Sequence, residues 1–212
     1  MEKIEILRQI IRERKSTRAF SGEFPSREAI GRIIESGLYA PYGGATGIPL
    51  EQVRKVFVFA QGTESMTNAR ELMLDQISRN ARKLGRLVKI FPFMKKKFGA
   101  FAKRLDGFSR IGIPSLMEAP YFIVVAEKKG FPPVEKQSIA HALENVWLTA
   151  TAEGFGFQLI SATGNMSGNP GFLKLLALPE GKYHLEGCAI GYPKKTVKRE
   201  RNLDPVKFVK WM

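Results

Sequence analysis

Arg14, Lys15, Ser16 and Arg18 place three cations and a short hydroxyl within five residues, and Phe20 follows as an apolar anchor. This is donor chemistry suited to phosphate. A guanidinium offers a planar fork of N–H groups, and charge-assisted bonds to phosphate oxygens are the strong class of hydrogen bond. The same residues also suit a solvated helix end, where cations favour the macrodipole. The segment alone leaves both readings open.

Other chemistry-bearing types are sparse. Cys188 is the single cysteine and lies in an apolar run, which fits a buried, inert thiol. His141 and His184 lie far apart with no cysteine at ligand spacing, so no metal site is expected. His141 reads as a core or interface residue, His184 as a strand residue without a role, and Trp147 as a residue of a dimer core. Tyr42, Gly43 and Gly44 open a loop with three glycines in five residues, which allows a backbone to approach a ligand closely.

The net charge of +14 is concentrated. Residues 76–105 carry ten Lys or Arg and no acid, and residues 194–212 carry seven against Glu200 and Asp204. The rest of the chain is close to neutral. Hydrophobic content of 44% over 212 residues fits a folded chain with a real core. The charged N-terminus lacks a signal-peptide pattern, and no apolar stretch reaches transmembrane length, so a cytoplasmic setting is expected.

These groups need elements to position them. Ile4, Leu7, Ile10 and Ile11 share one face of a first helix. Ser26 reads as the N-cap of a second, which carries Ile30, Ile33, Ile34 and Leu38 and stops at Ala40-Pro41. Strands are expected at 53–59, 121–127, 157–161 and 183–192. The second of these is apolar enough to be central. A long helix is expected at 134–153 with a C-cap at Gly154, and a short one beginning at Asn169-Pro170. Residues 63–105 are helical by spacing and broken at Pro92. Helical spacing reads Phe91, Phe93, Phe98 and Phe101 as core or lid residues. The sum is an α+β layer structure, helices covering a central mixed or antiparallel sheet.

Taken in order, these motifs resemble the FMN-dependent nitroreductase family over nearly the whole chain. The resemblance rests on the basic-Ser-x-basic-x-Phe segment at 14–20 and on Ala40-Pro41 with its small-residue loop. It continues through Asn145, Leu148, Ala150, Gly154 and Gly156, then Leu176, Leu178, Pro179 and Gly181, then Gly191-Tyr192-Pro193, and finally Arg199 and Arg201. Residues 45–50 depart from the family's loop, which carries polar contacts to the flavin ring.

The resemblance implies a nitroreductase-like fold in an intertwined homodimer, with FMN held between subunits. The chain would be one domain, 1–212, with a basic helical lid at about 63–105 and a C-terminal dimer arm at about 194–212. Arg14, Lys15, Ser16, Arg18, Arg199 and Arg201 would hold the phosphate and ribityl side. Tyr42, Gly43 and Gly44 would lie against the ring system, and Ser161, Ala162, Thr163 and Gly164 would supply backbone amides near it. No side chain is expected to be catalytic, because the cofactor carries the reaction.

The activity implied is hydride passage from a nicotinamide (NADH or NADPH) or a ferredoxin-like donor to a nitroaromatic, a quinone or another flat small-molecule acceptor. An acidic electron-donor protein is a possible partner for the basic segment, whereas nucleic acid and membrane are not expected. The competing reading is a basic module for nucleic acid or anionic lipid that keeps the fold without turnover.

Overall fold

The computed structural model describes residues 2–44, 47–91, 93–195 and 203–212. Four strands form one sheet in the order β1 (Arg54–Ala60), β2 (Tyr121–Lys128), β4 (Tyr183–Gly191), β3 (Gly156–Leu159). Each neighbouring pair is antiparallel. Tyr121 stands between Ala60 and Ile190, and Gly156 opposite Gly191. All four expected strands are present within a residue or two of their predicted ends.

β2 is central, as its apolar run predicts, and it divides its side chains by period two. Phe122, Val124 and Ala126 enter one hydrophobic cluster; Tyr121, Ile123 and Val125 enter the other. Helices α2 (Arg27–Leu38) and α7 (Glu135–Ala152) supply the second cluster, through Ile30, Ile33, Ile139, Leu143 and Val146. The start of α4 (Glu64–Ile90) and the short α8 (Pro170–Leu175) supply the first, through Met66, Met73, Phe172 and Leu173. Each large apolar side chain so buried contributes roughly 1.5–3 kcal/mol. That exceeds what a surface ion pair typically adds, so the two clusters, and not the many surface charges, drive this fold.

Local chemistry sets the helix ends. Ser26 Oγ accepts from the Ala29 N–H, and the side chain of Asn169 accepts from the Phe172 N–H ahead of Pro170. After α7, Gly154 adopts φ +79° and the Phe155 N–H donates to Ala150 O at 2.7 Å, which closes the helix as a C-cap. The remaining helices are α1 (Lys3–Glu13), the one-turn α3 (Leu50–Val53), α5 (Met94–Ile111) and α6 (Pro114–Glu118).

Cys188 is fully buried on β4, and burial pushes its thiol well above the ordinary range. The thiolate is the reactive form. Native protein should therefore resist iodoacetamide and become labelled only on denaturation; rapid labelling of the native state, read by mass, would show that this part of the core opens readily. His141, read from the sequence as a core or interface residue, is exposed on α7. His184 is buried, with Nδ1 3.5 Å from Ser167 Oγ and Nε2 3.4 Å from Glu186 Oε1.

Candidate cofactor site

The basic segment is fastened to the outer edge of β3. The Thr17 N–H donates to Phe157 O at 2.8 Å, and Ser16 bridges Phe157 in parallel. Phe20, buried at the rim of the first cluster, bridges Pro193 just past β4. The segment thus covers an edge that would otherwise present unpaired backbone. It lies close to the strand because residue 156 is glycine. A Cβ there would stand 2.6 Å from Thr17 Cγ2 and Oγ1. With Thr17 and Phe20 turned inward, Ser16 and Arg18 face solvent and Lys15 is half-buried beside them.

Arg14 is placed differently from its neighbours. Its guanidinium lies 4.0 Å above the Trp147 ring, with Nε 3.2 Å from Glu144 Oε1. Trp147 stacks on Phe157, centroids 4.6 Å apart, and its indole N–H donates to Lys15 O. Trp147, read from sequence as a dimer-core residue, wedges the basic segment against β3 within one chain. Glu144 and Trp147, at i and i+3 on α7, were missed as site-positioning residues. Their spacing puts an acid and an aromatic on one helical face, the natural counterpart of an arginine.

The C-terminal strand exit converges on the same place. Ser21 N–H donates to Tyr192 O and Lys194 N–H to Ala19 O, so residues 192–195 run beside the segment. Arg199 and Arg201 lie outside the described residues.

At the far end of β3 the chain enters a 3-10 turn, Ser161–Gly168. From Phe157 to Ser161 is four residues, about 13 Å along an extended strand. Ser161 is exposed, and Ala162 and Gly164 are half-buried. Thr163 is not at the surface. Its side chain is wholly buried against Gly187, its Oγ1 finds no hydrogen-bond partner, and its N–H already donates to Ile160 O.

Tyr42, Gly43 and Gly44 sit elsewhere. The Tyr42 hydroxyl donates to Ile48 O, the Gly43 N–H to Ser138 Oγ, and the Phe131 N–H to Gly44 O. This places the loop beyond Lys128, at the opposite end of β2 from the row Tyr121–Ile190–Phe157 that the basic segment joins. Seven steps along β2 amount to roughly 23 Å, so one chain does not bring this loop to the basic segment. The loop is fixed from beneath by Arg54, whose guanidinium donates to Gly37 O, Ala40 O and Pro41 O and is paired to Glu127 at 2.8 Å. Neither side chain of that pair is exposed. Sequence reasoning missed it, although an Arg at the start of one apolar strand and a Glu at the end of another are its signal.

Among the described residues no cluster of His, Cys, Asp or Glu is arranged to hold a metal ion, and no helix is long and apolar enough to cross a membrane.

An antiparallel sheet between two helical layers, with a cation-and-hydroxyl segment on its edge, defines the class of this protein as a layered α+β architecture. The chain belongs to the nitroreductase family, whose model matches residues 11–192. Solved structures agree in fold. A nitroreductase with bound FMN from Bacteroides fragilis is 19% identical, with 100% of both chains covered and a TM-score of 0.70. A nitroreductase with bound FMN from Desulfitobacterium hafniense is 20% identical, with 100% of both chains covered and a TM-score of 0.68. A BluB-like flavoprotein from Clostridium difficile is 20% identical, covers 100% of this chain and 99% of its own, and has a TM-score of 0.69. No curated protein sequence matches the chain.

Proposed function

We propose that this protein is an FMN-dependent oxidoreductase working as a homodimer. It would take reducing equivalents from a nicotinamide or ferredoxin-like donor and pass them to a nitroaromatic, a quinone or a comparable flat acceptor. The observation that carries the reading is the basic segment pinned along β3, which presents Ser16 and Arg18 outward, with Lys15 half-buried beside them, while residues 192–195 run alongside. Two FMN-bound nitroreductases share the fold at full coverage.

The donor set fits the cofactor. A phosphate dianion takes several convergent cations and a hydroxyl, and the turn starting at Ser161 stands at a mononucleotide's scale from that cluster. Lys15, Ser16 and Arg18 would hold the phosphate, with Arg199 and Arg201 arriving from the tail. Arg14 would act through Trp147 and Glu144 by holding the segment. Ser161, Ala162 and Gly164 would offer backbone at the ring end, and Thr163 would brace that turn from the core. When bound, FMN supplies hydride exchange at its N5.

A second copy would bring Tyr42, Gly43 and Gly44, which one chain holds at the wrong end of the sheet. Support for a second copy comes from unpartnered apolar surface. Ile4, Leu7 and Ile11 on α1 are about half exposed, and Val206, Phe208 and Trp211 in the tail are more so.

The test is the visible spectrum of the purified protein titrated with FMN, then reduced anaerobically with NADH or NADPH. Bound flavin that bleaches establishes cofactor and donor together. Arg18→Ala should weaken FMN binding about tenfold or more, since a hydrogen bond to a charged group contributes roughly 1.5–3 kcal/mol. Failure of the unaltered protein to bind FMN in excess would overturn the reading.

A further inference from the structure

We infer that the helical hairpin of α4 and α5 is an arm that docks the protein on an anionic membrane surface, its apolar tip entering the headgroup boundary. This does not rest on the flavin reading. The last buried residue of α4 is Ile77, and α5 has none. From Ile77 to Ile90 is thirteen residues, roughly 20 Å of helix beyond the core. The two helices pack on each other, with Ser78 Oγ donating to Ser109 O near the base.

At the tip Ile90 is 67% exposed, Phe91 43% and Phe93 78%. The Phe91 and Phe93 rings lie 5.9 Å apart as one apolar knob. Immediately behind come Lys89, Lys95, Lys96 and Lys97, all exposed. Further back Arg79, Arg82, Lys83, Arg86 and Leu87 line an open cleft of about 340 Å³; among the described residues only Arg79 of these is paired to a carboxylate, that of Asp75. No acid interrupts residues 76–105. Helical spacing reads the aromatics as core or lid, and cations flanking apolar stripes on both halves leave a membrane surface as the less expected alternative. Phe91, Phe93 and Phe101 are exposed and so do not belong to the core of this chain.

An apolar tip followed within one or two turns by a ring of cations matches the layering of an anionic bilayer, acyl region first and phosphate next. An acidic protein or a nucleic acid would engage the cations but leave the side chains of Ile90, Phe91 and Phe93 in water. The cleft on α4 has the donor set for lipid phosphate, and lies about a helical turn or two above the plane the tip would reach.

The experiment is vesicle co-sedimentation of the full-length protein as purified. The probes are vesicles of phosphatidylcholine alone and of phosphatidylcholine with phosphatidylglycerol, at low and high salt. Binding is expected on the anionic vesicles only, weakened by salt. Phe93→Ser should reduce partitioning about tenfold by removing buried apolar area. Reversing Lys95, Lys96 and Lys97 to Glu should reduce it by at least about fivefold per lysine. Both variants alter exposed residues only, so an unchanged melting temperature is expected and certifies the fold.

No binding at low salt would overturn the proposal. So would binding to anionic vesicles that Phe93→Ser leaves intact, because the tip would then have no part in it. A Phe93→Ser protein that falls from dimer to monomer in analytical ultracentrifugation would also overturn it, assigning the tip to the second subunit.

Discussion

Arg54→Met should lower the stability of this protein by about 3–5 kcal/mol, the range for breaking a buried ion pair from one side. For a chain of this size that is roughly 10 °C in melting temperature. Arg54 is wholly buried and bonds in two directions. Its Nε reaches Glu127 Oε2 at 2.8 Å, and its two amino groups reach Gly37 O, Ala40 O, Pro41 O and, more loosely, Ser138 O. Methionine fills most of the volume and supplies none of the donors. The carbonyls ending α2 lose their partners, and a carboxylate with one oxygen already unpaired is left alone in the core.

The pH dependence follows from the same pair. Burial pushes the Glu127 carboxyl above its ordinary range, and Arg54 opposes that push. Without Arg54 the folded-state value rises further above the unfolded one. A group with a raised folded value favours folding where it is protonated and loses that contribution as pH climbs through the folded value. The deficit of the Arg54→Met variant should therefore be largest at neutral and alkaline pH and shrink in mild acid. Thermal melts of both proteins across that range test it, and equal melting temperatures at neutral pH would refute the assignment. Adding Glu127→Met should recover much of the loss, because replacing both partners leaves no buried charge.

What was legible in the sequence is what local physics decides. Ser26 and Asn169 cap helices because a short side-chain oxygen there meets a free N–H a few residues on, whatever the tertiary structure. The run from Tyr121 to Ala126 could only be a strand covered on both faces. The family resemblance, carried by ordered short motifs, placed the whole architecture. The failures share one cause, which is that partners distant in sequence decide them. Arg54 meets Glu127 across 73 residues, and Arg14 meets Glu144 and Trp147 across some 130. Neither pairing leaves a local pattern beyond a charge in an apolar context. Thr163 is expected with its segment to offer a backbone amide, but the 3-10 turn directs its side chain inward and its N–H to Ile160 O. For Phe91 and Phe93, read as core or lid, the structure answers only the first half, since both are exposed and neither joins the core. Periodicity tells which residues share a helical face, and says nothing about whether anything in the chain covers that face.

Gly156→Ala tests the candidate site most sharply, because it strikes the segment's geometry and none of its functional groups. The added Cβ would stand 2.6 Å from Thr17 Cγ2 and Oγ1 and 2.7 Å from Thr17 Cβ. Thr17 cannot yield cheaply. It is 8% exposed, and its N–H is bound to Phe157 O one residue along the same strand. Overpacking of this kind costs about 1–3 kcal/mol, a few degrees of melting temperature at this chain length. The segment relieves the clash by moving off β3, and Ser16 and Arg18, which flank Thr17, move with it. Charge-assisted bonds need close, directed geometry, so their loss should weaken FMN binding by about 10- to 100-fold while the sheet stays intact. Removing the opposing side chain with Thr17→Gly in the same protein should restore part of the affinity, a rescue that general destabilisation would not give. FMN titrations followed by fluorescence, beside thermal melts, separate the two effects. A Gly156→Ala protein that melts a few degrees lower yet binds FMN undiminished would show that the phosphate is held somewhere other than residues 15–18.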